Sequence, residues 1–127
     1  MKSFVLAFML LFVSVPVMAQ DKASVIDSWL KPVESQYVCM VNNQSYDKPQ
    51  ILVDVEEKSY YGCCAMCKTR LLKDPDIRAA LDPVSGNIVD KALAVIGTSP
   101  DRGVYYFENE DNFQEFAKSP MPSKDVP

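Results

Sequence analysis

Residues 59–75, SYYGCCAMCKTRLLKDP, decide how the rest of the chain reads. Three of the chain's 4 cysteines, Cys63, Cys64 and Cys67, fall here, between an aromatic β-prone run and a segment of helix-forming composition. The fourth, Cys39, lies upstream and is followed by Met40. Thiols at a strand-to-helix corner, with a remote thiol able to close the set, form the layout of a small soft-metal site. Gly62, just before the cluster, lets the backbone pass close to whatever Cys63 and Cys67 hold, because it has no side chain and tolerates positive φ.

Working upstream, residues 50–55 read as a strand, 56–58 as a turn and 59–61 as the returning strand. Residues 37–41 are apolar and β-prone, and the polar run 42–45 breaks them as a turn does, so Cys39 sits at a strand end or in the knuckle that follows. Residues 23–30 carry Val25, Ile26, Trp29 and Leu30 at helical spacing before Pro32, which predicts a short helix with Trp29 as a core anchor. Downstream, residues 65–73 favour a helix, with Met66, Leu71 and Leu72 apolar, Lys68, Arg70 and Lys73 toward water, and Pro75 as its stop. Residues 76–81 read as a further helical turn or two, and 82–87 as turn-rich punctuation. Residues 91–96 then read as a strand, 97–103 as a loop, 104–107 as its partner strand, and 111–118 as an amphipathic helix with an acidic start.

That order repeats. Tyr60, Tyr61, Lys73 and Pro75 fall in step with Tyr105, Tyr106, Lys118 and Pro120 at one constant offset, with Leu71 opposite Phe116. Each half is knuckle, strand, turn, strand, helix and proline, so the halves can pair around one core. The tyrosines recur at the same place in both halves, which marks them as cross-strand packing. The second half has no thiols: Ser85 falls opposite Cys39 with one residue of slippage, Glu108 opposite Cys63, Asn109 opposite Cys64 and Asn112 opposite Cys67. One metal site with a structural pseudo-copy is the expectation.

Residues 1–19 carry Lys2, an apolar run from Phe4 to Val13 and a small-residue cleavage site at 17–19, the pattern of a secretory signal peptide. Pro16 and the polar sequence at 20–22 argue against a permanent membrane anchor, and no cysteine at the cleavage point suggests lipidation. The expected compartment is therefore the periplasm or the outside of the cell. Acidic residues outnumber basic ones, 17 to 13, for a formal net charge of -4, which argues against a nucleic-acid or anionic-membrane partner, both of which need a basic face. The organisation read from these features is a signal peptide over 1–19, an N-terminal helix and linker over 20–36, a cysteine-bearing repeat over 37–81, a second repeat over 82–120 and a flexible tail over 121–127.

The chemistry of the cluster points to a thiophilic ion. Thiolates bind copper(I) and zinc strongly, and the neighbouring thioethers Met40 and Met66 tilt the balance to copper(I), since methionine sulfur is soft and uncharged. The chain has no histidine, so a mixed imidazole site is excluded. Lys68, Arg70 and the start of the helix are expected to favour the thiolates. Export leaves two alternatives open: a disulfide framework, in which Cys39 joins one of the cluster and Cys67 pairs with the other, and a thiol oxidoreductase using the spacing Cys64-Ala65-Met66-Cys67. Outside the thiols there is no nucleophile with a base, no paired carboxylates and no phosphate-cradling loop, so an enzyme is not expected. Glu108, Glu110 and Asp111 lack the spacing of a calcium loop.

The pieces Val38-Cys39-Met40, Tyr60-Tyr61-Gly62-Cys63, Cys67 and Asp74-Pro75 resemble the TRASH and YHS group of small heavy-metal-binding domains. The frame of the second half, Asp82-Pro83-Val84-Ser85-Gly86 with Tyr105-Tyr106-Phe107, resembles the YHS pattern with serine in place of its cysteine. Export, the Cys63 to Cys67 spacing and the run YYFENEDNFQEFA give a weaker similarity to NosL-type periplasmic copper-binding proteins. The resemblance covers roughly residues 37–120. It implies a compact α+β unit, treble-clef-like or zinc-ribbon-like, that binds or senses copper, zinc or another thiophilic ion. By position it makes Cys39, Cys63 and Cys67 ligands, with Cys64 a fourth ligand or an adjustable spare. The first knuckle departs from that pattern, lacking the Asp-Pro before its cysteine and the glycine after it. An envelope metal donor or acceptor protein is the implied partner.

Overall fold

The computed structural model describes residues 28–123; the segment read as a signal peptide, most of the segment read as an N-terminal helix and the last four residues lie outside them. Nine short strands and two helices follow one another in chain order among the described residues. They are β1 (Lys31–Pro32), β2 (Val38–Cys39), β3 (Gln44–Ser45), β4 (Ile51–Val55), β5 (Lys58–Gly62), α1 (Ala65–Lys73), β6 (Ala79–Leu81), β7 (Ile88–Asp90), β8 (Val95–Thr98), β9 (Val104–Phe107) and α2 (Glu110–Lys118). All pairing is antiparallel and all sheets are open: β2 with β3, β4 with β5, β6 with β7, and a three-stranded sheet in the order β1-β8-β9. Among the described residues this is a small α+β fold built from short antiparallel pairings, most of them local, with β1–β8 joining distant parts of the chain.

The same sequence of devices appears twice. In the first unit, the knuckle β2–β3 leads to the hairpin β4–β5 and then α1; in the second, β6–β7 leads to β8–β9 and then α2. The strand-to-helix corners superpose in backbone terms. Cys64, before α1, has φ -155 and ψ 172, and Asn109, before α2, has φ -154 and ψ 170. Each helix then runs nine residues. Asn109 caps its helix by accepting from the Asn112 N–H at 2.8 Å, as its residue type predisposes it to do.

Alternation along the strands sorts side chains between two cores. Val104 and Tyr106 of β9 face a core shared by the units, with Val38, Met40, Val53, Tyr60 and Leu71 from the first and Val89 and Ile96 from the second. Tyr105 and Phe107 face the other way, against α2, where Leu30, Phe113 and Ala117 complete a second cluster flanked by Trp29 and Phe116. Trp29 meets Tyr105 and Phe116 edge-on at 6.0 and 5.5 Å, and its indole N–H donates to the Ser119 carbonyl at 2.8 Å. The chain before β1 is thereby fastened to the end of α2.

Two close approaches need glycine. A Cβ on Gly97 would meet the side chains of Leu30 and Phe113 at 2.8 Å, and one on Gly62 would meet the Cys67 Cβ at 2.9 Å. Gly62 therefore serves a close approach of β5 to α1 and not a positive φ, which its backbone does not adopt.

Four expectations from the sequence give way to the structure. Ser28–Leu30, the described end of the expected helix over 23–30, are not helical; they bend into β1, which pairs with β8. Residues 76–81 do not continue a helix: a single 3-10 turn, Pro75–Arg78, gives way to β6, whose partner β7 supplies the hydrogen bonds that local propensity did not foretell. The strand expected over 91–96 begins only at Val95, because 91–94 form a turn that buries Lys91. Ser85 is exposed and does not stand in the place of Cys39; Asp82 does. Asp82 pairs with Asn87 across its knuckle as Cys39 pairs with Gln44, and each accepts at its carbonyl from the N–H four residues on, Asn43 at 2.9 Å and Gly86 at 2.8 Å.

Candidate metal centre

Three elements bring the thiols together. Cys39 ends β2 where the knuckle begins, Cys63 directly follows β5, and the first turn of α1 carries Cys67, with Cys64 at the corner between strand and helix. A tyrosine-bearing strand that ends in glycine forces that corner: α1 can lie against β5 at Cys67 only because Gly62 leaves the space. The Met40 N–H donates to the Tyr61 carbonyl at 2.9 Å, which ties the knuckle to β5 and aligns Cys39 with the corner.

The sulfur atoms of Cys39, Cys63 and Cys67 lie within 4.8 Å of one another. Cys67 is the hub, 3.8 Å from the sulfur of Cys39, 3.6 Å from that of Cys63 and 3.5 Å from that of Cys64. A metal bound to thiolates at about 2.3 Å in tetrahedral geometry separates its sulfurs by about 3.8 Å, so these spacings match the edges of a metal–thiolate centre. They are far beyond a disulfide bond of about 2.05 Å, and all four cysteines are free. The cluster can therefore coordinate a metal ion. Cys39 and Cys67 are buried while Cys63 and Cys64 are exposed, so the centre is walled on one side and open to solvent on the other.

The protein prepares these thiols unequally. Burial opposes ionisation of Cys39, but the N–H groups of Asn42, Val41 and Cys63 outweigh it and hold its thiol below the ordinary value. The N–H of Cys67, the Cys67 thiol and the N–H of Met66, at the open first turn of α1, lower Cys64. Burial raises Cys63, and it drives Cys67 up to about 12 with the adjoining thiols of Cys64 and Cys63 adding to the effect. The central Cys67 thiol thus holds its proton more strongly than Cys39 and Cys64 do, and metal binding has to displace it. The leading influences on the thiols are burial, backbone N–H groups and one another, in place of the expected Lys68 and Arg70.

The two methionines that flank the cysteines have different surroundings. Met40 is fully buried among the apolar residues of the shared core, on the opposite side of the knuckle from Cys39. Met66 is 73% exposed.

Two residues without a role in the sequence-based expectation shape the site. Asn43, at φ 55 in the knuckle, accepts at Oδ1 from the Lys91 ammonium and from the Tyr106 hydroxyl at 3.0 Å. Lys91, nearly fully buried and pushed down to about 8 by burial, lies in the turn that replaces the start of the expected strand. A lysine in an otherwise apolar run is the one signal in the sequence that marks it. In the second unit, Asp82 occupies the pseudo-site. Its Oδ1 accepts from the N–H groups of Val84 at 2.7 Å and Ser85 at 3.2 Å, and its Oδ2 from the Glu108 N–H at 2.8 Å and the Asn112 amide at 2.9 Å.

The chain matches no family model, no curated protein and no solved structure. Among the described residues, no helix is long and apolar enough to cross a membrane.

Proposed function

We propose that this chain is an exported binder of one thiophilic ion, copper(I) ahead of zinc, that serves delivery, sequestration or resistance. The observation that carries the reading is the convergence of Cys39, Cys63 and Cys67 within 4.8 Å, with Cys64 against Cys67. Three mutually close sulfurs suit the low coordination of copper(I), and recruitment of Cys64 completes the four-thiolate set zinc prefers. When bound, the ion supplies a soft, exchangeable centre and no redox or hydrolytic step is required of it. The chain's own residues do the rest: Cys39 and Cys67 hold from the buried side, Cys63 and Cys64 meet solvent, and an acceptor protein's thiolate can approach only there. One-sided exposure supports a carrier over a closed structural site.

The kinship offered for it is the TRASH and YHS type, with a treble-clef-like frame duplicated and one copy stripped of its thiols. The recurrent corner geometry at Cys64 and Asn109 supports duplication. The leader pattern over 1–19 supports export, and the acidic balance supports a partner without nucleic acid.

Native mass spectrometry of the exported form, purified anaerobically and with free thiols counted on the same sample, tests this. The expected result is one copper or zinc per chain, lost in Cys39→Ser and Cys67→Ser. Metal-free protein with every thiol oxidised to disulfide would replace the metal reading with a disulfide-stabilised module.

A further inference from the structure

Lys91 follows β7 in the second unit and is only 4% exposed. Its ammonium reaches across into the first unit, donating to the Met40 carbonyl at 2.7 Å and to Asn43 Oδ1 at 2.9 Å, and it stands 5.1 Å over the centroid of the Tyr106 ring. None of these partners carries a negative charge. The carboxylate next to it in sequence, Asp90, is engaged elsewhere, by the Lys58 ammonium at 2.7 Å and the Tyr60 hydroxyl at 2.7 Å. A cation taken out of water with neutral partners alone is strongly disfavoured. Met40, whose carbonyl the ammonium holds, directly follows Cys39 in the chain.

The turn that Lys91 grips is the one that carries Cys39. The N–H groups of Val41 and Asn42, which favour the Cys39 thiolate, lie within it. Among the described residues, the ties on Asn43 from outside the knuckle come from the second unit: Lys91, the Tyr106 hydroxyl, and the Val104 N–H, which donates to the Asn43 carbonyl at 3.0 Å. An ion bound by three or four thiolates keeps a net negative charge, and a buried cation fixed to the knuckle that carries Cys39 is the complement such a centre needs.

We infer that Lys91 is the countercharge and positioning residue of the thiolate centre, supplied by the unit that has no thiols of its own. This rests on the metal-binding reading of the cysteine cluster. The second unit then clamps the knuckle and neutralises the centre, so metal affinity depends on a residue that touches no metal. Lys91 carries this role through its charge and its reach into the knuckle, and the two can be separated by a substitution that keeps a donor and removes the charge.

The test compares the full chain with Lys91→Gln. Zinc and copper(I) affinities are read by competition with a chromophoric chelator, and thermal unfolding is read on the reduced, metal-free forms. The expected result is an affinity loss of about tenfold or more, the scale of outer-shell partners of metal ligands, with metal-free unfolding at or above the wild-type temperature because a buried cation is gone. Affinity within about twofold of wild type would overturn the inference, as would an affinity loss matched by lower metal-free stability, which marks a structural role alone. Wild-type chain that binds neither ion overturns the metal reading itself, a result distinct from both. If Lys91→Gln does not fold, the side-chain nitrogen resonance of Lys91 in the wild-type chain decides: a shift on zinc binding supports the role and an unmoved resonance sinks it.

Discussion

Cys39 and Asp82 hold the same position in successive knuckles. Cys39 draws on the N–H groups of Val41, Asn42 and Cys63, and Asp82 on those of Val84, Ser85 and Glu108, the residues at matching places in each unit. Where the first unit has Cys67 in its helix, the second has Asn112, whose amide donates to Asp82. A carboxylate saturated with hydrogen bonds thus fills the space that thiols surround in the other copy.

From that equivalence, the second pocket is a thiol site in all but side chains. The triple variant Asp82→Cys, Glu108→Cys, Asn112→Cys is expected to bind a second ion, read as a doubled metal increment by native mass spectrometry. A single increment in a folded variant would show that the second corner does not reproduce the first.

Gly62 and Gly97 sit under the two helices and separate packing from metal chemistry. Gly62→Ala drives a methyl into Cys67 and Gly97→Ala drives one into Leu30 and Phe113. Each is expected to lower stability by about 1–3 kcal/mol in denaturant unfolding, the range for overpacking. Only Gly62→Ala should also weaken metal binding in chelator competition; equal affinities in both variants would detach the close approach from the site.

The hairpin β4–β5 turns on Glu56 and Glu57, at φ 50 and 64, both in the left-handed region. A two-residue turn of this type favours Asn-Gly. Glu56→Asn with Glu57→Gly is expected to raise the stability by roughly 1 kcal/mol, with metal affinity unchanged. A fall in unfolding midpoint would contradict the turn assignment.

Acid should loosen the second unit. Burial opposes ionisation of Asp82, but Asn112 and the N–H groups of Glu108, Val84 and Ser85 prevail and lower its carboxyl; burial likewise opposes Asp90, and Lys58 and Tyr60 prevail there. A carboxyl lowered by folding stabilises the fold above its unfolded value near about 4 and loses that contribution as pH falls through the lower folded value. Metal-free protein is therefore expected to lose stability as pH drops below about 4, and Asp90→Asn to flatten that dependence. An unchanged acid limb in Asp90→Asn would remove Asp90 from the account.

Within the cluster, substitutions should rank by position. Cys67→Ser, at the hub, is expected to abolish binding, while Cys64→Ser weakens zinc more than copper(I), and Met66→Leu changes neither. Calorimetric titration with each ion checks the order; a large loss in Met66→Leu would restore the thioether to the site.

Much of the frame is legible in the sequence because local chemistry settles it. Residues 65–73 carry helix formers up to Pro75, and the helix occupies Ala65–Lys73; the aromatic run 104–107 forms β9 over the same residues. The thiols are legible as a group because three crowd one corner. Residues 76–81 mislead because the helix preference of Ala79 and Ala80 is overridden by strand pairing with β7, and 91–96 because a turn that buries Lys91 delays the strand to Val95.

By itself, then, the sequence determined the order of knuckle, hairpin and helix, the thiol-rich corner and the acidic balance of the chain, since composition and short-range spacing carry that information. Only the tertiary structure decided which side chains meet. It brought Cys39 to the corner, sent Met40 into the core and left Met66 in solvent, put Asp82 in the place expected for Ser85, and carried Lys91 across to the knuckle. Those outcomes depend on contacts between residues far apart in the chain, and the free energy of burying or exposing each group is set only when the two units pack together.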